Sequence, residues 1–116
     1  MSHPTYDHLS SLRVMFVFVF FDLPVKTVLD RKSYTIFRKR LMCLGFQGFQ
    51  NSVYTRDCAS HEIANKYTAY VQQIVPAKGH VSILRVTEMQ LLKMINIYRN
   101  EPPKPAPKPR RQLTLL

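Results

Sequence analysis

RVMFVFVFFDLP, residues Arg13 to Pro24, holds an unbroken apolar run from Val14 to Phe21, closed by Asp22 and then by Leu23-Pro24. Aromatic and β-branched side chains dominate the run, and these fit a pleated surface better than a helix. A short apolar run stopped by a polar residue and a proline reads as a strand buried on both faces. Side chains alternate along a strand, so Val14, Phe16, Phe18 and Phe20 share one face and Asp22 follows them on it. The strand thus carries one carboxylate out of the core to the end of a sheet.

The run is too short to span a bilayer. It has one adjacent basic residue, ends in Asp-Leu-Pro and lacks a small-residue cleavage site, so it does not read as a signal peptide. Cys43 and Cys58 lie apart with no second pair, which fits a reducing compartment rather than a disulfide framework. We expect a cytoplasmic protein with no membrane association. The 116 residues suffice for one domain with a modest core.

Charge narrows the function classes. The formal net charge is +10 and the isoelectric point about 10.0, so the surface attracts polyanions, nucleic acid above all. The acids number seven: Asp7, Asp22, Asp30, Asp57, Glu62, Glu88 and Glu101. So few carboxylates leave little material for a metal centre within one chain. An acid just before a Leu-Pro turn has an ordinary role, accepting hydrogen bonds from the turn. For Asp22 to hold a metal, a second acid would have to come from another copy.

Outward from the first strand, residues 1–12 read as a loose polar arm. Thr27 is positioned as a helix N-cap with Asp30 in a capping-box place. Leu29, Ile36, Phe37, Leu41 and Leu44 recur at helical spacing, and Gly45 sits where a helix ends. The remaining face carries Arg31, Lys32, Arg38 and Lys39. FQGFQNSVYTRD (46–57) reads as two short strands about a turn near Gln50-Asn51-Ser52, with Gly48 marking a bulge. Ser60 caps a second helix with Ile63, Tyr67, Tyr70, Val71 and Ile74 inward, and Pro76 stops it. HVSILRVT (80–87) is a fourth strand. Residues 88–93 make one helical turn, and MINIY (94–98) a short extra strand.

From Glu101 the composition changes to EPPKPAPKPRRQLTLL, a basic, extended tail. Its end, with Leu113, Leu115 and Leu116, is apolar enough to add a strand to a partner's sheet. The domain proper is therefore 13–100, with a tail over 101–116.

The order β-α-β-β-α-β plus a short C-terminal strand is that of an α+β, ferredoxin-like sandwich. Helices cover one sheet face, and the other, rich in phenylalanine, must meet something other than water. A second copy packed sheet to sheet is the simplest answer, and it would bring two Asp22 side chains toward a shared axis.

VFFDLP (19–24), FRKRL (37–41), GFQGFQNSVY (45–54) and GHVSILRVTEMQ (79–90), in that order, carry a resemblance. The chain resembles the small subunit of the CRISPR spacer-acquisition machinery, the second of the two universal CRISPR-associated adaptation proteins. FFDLP and SVYTR look most like forms from systems with a single large effector nuclease. The resemblance implies a homodimer with a Mg²⁺-dependent nuclease-type site using Asp22 as catalytic acid and metal ligand. It also implies a bridge between two dimers of the CRISPR integrase subunit that holds a DNA duplex by its backbone, where the nuclease acid can be dispensable. On that reading Lys26, Arg31, Lys32, Lys39 and Arg56 are the expected duplex contacts, and Leu113, Leu115 and Leu116 the docking end. The alternative is a protein that is chiefly a Mg²⁺-dependent endoribonuclease or endonuclease, or a toxin-like ribonuclease, with RNA as substrate. An RNA-recognition module on the same fold ranks last, because no basic-glycine-aromatic signature is present.

Overall fold

The computed structural model describes residues 14–99. The arm over 1–12 and the tail over 101–116, with Leu113, Leu115 and Leu116, lie outside them.

Seven elements follow in order: β1 (Met15–Asp22), α1 (Val28–Cys43), β2 (Gln47–Gln50), β3 (Val53–Cys58), α2 (His61–Ile74), β4 (His80–Thr87) and α3 (Glu88–Leu92). The sheet order is β2-β3-β1-β4, and every neighbouring pair is antiparallel. This is the split arrangement expected of the ferredoxin-like fold, with β1 central. Its register follows from the need to keep one face apolar, since a one-residue slip would invert every side chain.

Local chemistry explains the boundaries. At the start of α1 the Thr27 hydroxyl accepts from the Asp30 amide at 3.0 Å and the Asp30 carboxylate accepts from the Thr27 amide at 3.3 Å, a reciprocal capping box. At its end, Gly45 takes φ 91°. The Gly45 amide donates to the Met42 carbonyl and the Phe46 amide to the Leu41 carbonyl, both at 2.9 Å. That pair of bonds is a Schellman closure, with Phe46 and Leu41 both buried beside it. Ser60 caps α2 through the Ile63 amide. The turn between β2 and β3 places Ser52 at φ 61°, and the register shifts between Gly48 and Gln50 where the bulge was expected.

Met15, Val17, Val19 and Phe21 of β1 form the core with Phe37 and Leu41 of α1, Tyr54 and Cys58 of β3, and Ala64 and Val71 of α2. Fully burying each valine, leucine, phenylalanine or methionine among them contributes about 1.5–3 kcal/mol. The ring of Phe21 meets Tyr34, Phe37 and Tyr54.

The structure departs from the sequence reading in three places. Leu29 is 76% exposed and Ile36 is also exposed; the buried stripe of α1 runs through Tyr34, Phe37, Leu41 and Leu44 instead. Met94–Tyr98 forms no strand within the single chain, although β2 and β4 are edge strands of the sheet. The far face of the sheet is also not bare. Phe16 is 1% and Phe18 3% exposed within one chain, and the Phe18 ring meets Phe49 edge-on at 5.0 Å. Exposure on that face falls on Phe20, Leu84 and the residues at the Asp22 end. The argument for a second copy therefore cannot rest on Phe16 and Phe18.

Candidate functional site: a carboxylate at the sheet end

Asp22 is the last residue of β1, exposed, on the face shared by Phe18 and Phe20. Among the described residues its carboxylate accepts no hydrogen bond from the Leu23-Pro24 turn and pairs with no cation; the nearby Thr27 and Asp30 bond to each other at the start of α1. An acid left free at a sheet end is available to a ligand, which removes the ordinary turn-acceptor role from consideration.

The loop holding it is built tightly. Gly79, at φ 97°, lies so close that a Cβ there would stand 2.8 Å from the Asp22 carbonyl oxygen and 2.7 Å from Leu23 Cδ2. Immediately after it, His80 opens β4 directly across from Asp22. Antiparallel partners share a face, so the imidazole projects on the same side as the carboxylate. His80 Nε2 and the Ser82 hydroxyl lie 3.4 Å apart. Nothing in the sequence singles out His80; the strand register that pairs position 80 with position 22 is what brings the two side chains together.

The other acids stay away from this point. Asp57 is opposite Phe16, six residues back along β1, which is about 20 Å at 3.3 Å per residue. Asp30 is occupied by its cap and by Lys78 at 3.9 Å. Among the described residues no cluster of three or more His, Cys, Asp or Glu exists. One carboxylate per chain is a thin protein cage, yet Mg²⁺ commonly keeps several waters and takes one or two carboxylates plus substrate phosphate oxygens. The free Asp22 fits that kind of anchoring.

The basic residues divide into two groups. Lys26, Lys32 and Lys39 are exposed, and no hydrogen bond or ion pair engages them among the described residues. Lys32 and Lys39, seven apart on α1, lie within about 20° of each other on the helix cylinder. Lys32 edges a shallow groove with Leu29, Ile36 and Arg40. Arg31 is exposed but donates from Nη1 to the Val25 and Lys26 carbonyls, each at 3.1 Å, and so fastens the loop before α1. Arg56 is half-buried: Nε donates to the Leu44 carbonyl and Nη1 to the Asp57 carbonyl, each at 2.9 Å, and its guanidinium carbon sits 3.7 Å from the Tyr67 ring centre. Arg38, which the sequence reading left among the general basic face, donates from Nε to the Tyr54 hydroxyl at 3.0 Å. That hydrogen bond raises the Arg38 pKa above its ordinary value, so Arg38 stays charged at any working pH.

A ferredoxin-like sheet ending in a free carboxylate, with unpaired lysines on the adjoining loop and helix, defines a small protein suited to phosphate-bearing polymers. Residues 15–94 match the family model described as CRISPR associated protein Cas2. The chain is 36% identical over 110 residues to a CRISPR-associated endoribonuclease Cas2 of Flavobacterium psychrophilum, covering 95% of each chain. It is 40% identical over 101 residues to the protein of that name from Parvibaculum lavamentivorans, covering 87% of this chain and 99% of the other. A third relative of the same name, from Paracidovorax avenae, is 39% identical over 101 residues, covering 85% of this chain and 94% of that one. The chain belongs to the Cas2 family.

Proposed function

We propose that this chain is a CRISPR adaptation subunit that works as a homodimer. It bridges integrase-subunit dimers, holds duplex DNA by its backbone, and carries a Mg²⁺-dependent nuclease-type site at Asp22. Family membership supports the CRISPR role, and the observation that carries the site is the unengaged Asp22 carboxylate at the strand end.

The roles of the residues follow from their chemistry. Asp22 anchors the ion through a carboxylate oxygen. Bound Mg²⁺ would neutralise charge on the scissile phosphate and lower the pKa of a coordinated water. Lys26, on the loop four residues beyond Asp22, and Lys32 and Lys39 on α1 are free to contact phosphates, which gives sequence-independent affinity that falls with salt. Arg31 and Arg56 spend donors on internal carbonyls, so the lysines are the stronger contacts of the five. No described helix is long and apolar enough to cross a membrane. Cys43 and Cys58 are not joined in a disulfide, which fits the reducing, cytoplasmic setting we propose.

A second reading, chiefly a Mg²⁺-dependent endoribonuclease, is favoured by the name its relatives bear. The two readings separate in one set of assays. Asp22→Ala should abolish Mg²⁺-dependent cleavage of RNA or DNA while leaving duplex binding and co-purification with the integrase subunit intact. Loss of all three together would sink the bridging role as distinct from the nuclease site; undiminished cleavage would remove Asp22 from catalysis. Deleting residues 101–116 should release the integrase subunit, and full retention would leave the tail without a docking role.

A further inference from the structure

The sheet end holds more than an acid. We propose that Asp22 and His80 form a mixed oxygen–nitrogen ligand pair within one protomer, giving the site a preference for a borderline divalent ion such as Mn²⁺ or Co²⁺ over Mg²⁺. This rests on the reading of Asp22 as a metal ligand and deepens it.

Three observations meet here. First, Asp22 and His80 are direct cross-strand partners. Such partners place their Cβ atoms about 4.5–5.5 Å apart on one face. A carboxylate oxygen and an imidazole nitrogen each about 2.0–2.2 Å from a single ion are reached from that separation with side-chain rotation alone. Second, both residues are exposed, and among the described residues neither the Asp22 carboxylate nor the second ring nitrogen of His80, Nδ1, has a hydrogen-bond partner. Third, Ser82 stands beside Nε2 at 3.4 Å. When Nε2 carries the ring proton it donates to the Ser82 oxygen, and the Nδ1 lone pair is left for an ion. A ligating histidine is commonly oriented by such a contact on its other nitrogen.

The close approach of Gly79 to the Asp22 carbonyl fixes the geometry. It seats the start of β4 against the end of β1, next to the pair formed by positions 22 and 80. Carboxylate and water suit Mg²⁺ and Mn²⁺ alike, whereas imidazole suits later divalent ions, so an added nitrogen ligand is what separates Mn²⁺ and Co²⁺ from Mg²⁺. A single carboxylate would separate them far less.

The test uses the full chain and the metals alone. Mn²⁺ binding is followed by loss of the free-ion electron paramagnetic resonance signal, with Mg²⁺ as competitor, and bound nitrogen by ¹⁴N modulation of the electron spin echo. Wild type should bind Mn²⁺ at least ten-fold more tightly than Mg²⁺ and show nitrogen modulation. His80→Ala should lose the modulation and weaken Mn²⁺ roughly ten-fold with Mg²⁺ unchanged; Ser82→Ala should weaken Mn²⁺ while Mg²⁺ holds. Asp22→Asn should lose both ions. His80 and Ser82 are exposed, and circular dichroism with thermal melts establishes that each variant folds. If His80→Ala keeps the modulation and the ion preference while Asp22→Asn loses binding, the ligand pair is wrong and the Asp22 reading stands. If Asp22→Asn binds both ions as wild type does, both fall.

Discussion

Gly79 presses against the backbone of Asp22: a β-carbon at position 79 would stand 2.8 Å from the Asp22 carbonyl oxygen, and the residue's φ of 97° lies in the left-handed region. Both facts bar a side chain. The turn after α2 and the loop after β1 are thereby locked together at the point where the candidate site lies.

Gly79→Ala should accordingly destabilise the protein by about 1–3 kcal/mol, the usual range for forcing a non-glycine residue into such a conformation. For a domain of this size each kcal/mol lowers Tm by roughly 4–8 °C, so a thermal melt reads it directly. An unchanged Tm would mean that the turn moves away at no cost and does not hold the two strand ends in place.

The fold was legible in the sequence because its signals are local. Thr27 with Asp30, Gly45, Ser60 and Pro76 each mark a boundary by their own backbone chemistry, and all four boundaries fall where expected. The burial of α1 was less so: Leu29 and Ile36 share a helical period with Phe37 and Leu41, and only packing against α2 and the sheet decides which side turns inward. Asp22 was visible as the acid that ends the apolar run. Its partner His80 was not, since 58 positions separate them in sequence and only strand register joins them. Arg56 read as a surface cation for the same reason, because its stacking on Tyr67 and its bond to Leu44 are tertiary.

That difference between the arginine and the lysines gives opposite expectations. Arg56→Ala removes a guanidinium bonded to two carbonyls and stacked on a ring, taking the donor from the Leu44 carbonyl at a cost of about 1–3 kcal/mol. Chemical denaturation should show that loss, with the salt dependence of duplex binding unaltered. Lys32→Ala and Lys39→Ala should leave the denaturation midpoint in place and each reduce the slope of log K against log salt by about 1. A slope that falls for Arg56→Ala and holds for both lysine variants would move the contact surface from α1 to the β3 side.

The capping box at the start of α1 makes a more modest claim. Thr27→Ala deletes the hydroxyl that accepts the Asp30 amide, which typically costs about 1 kcal/mol. The reciprocal bond, from the backbone amide of residue 27 to the Asp30 carboxylate, needs no side chain at 27 and remains, while the Lys78 contact, exposed on the lysine side, is worth little alone. Thr27→Ser keeps an oxygen in place and should recover most of the stability. If both variants lose the same amount, the threonine methyl rather than the cap is responsible.

Thr55 tests the cost of an unpaired hydroxyl buried on the far face of the sheet. It is 1% exposed, lies on the same face as Phe18, and its hydroxyl has no hydrogen-bond partner among the described residues. A buried hydroxyl left unpaired costs on the order of 1–3 kcal/mol, and replacing it with a methyl removes that cost. Thr55→Val should therefore stabilise by about 1 kcal/mol. Because the hydroxyl is already enclosed by its own chain, the gain should be the same at every protein concentration, and melts across a dilution series read it. A midpoint that stays or falls would mean that the hydroxyl is satisfied in solution. Any contact with a second copy on this face has to be made toward the Phe20 and Asp22 end, where the face is exposed.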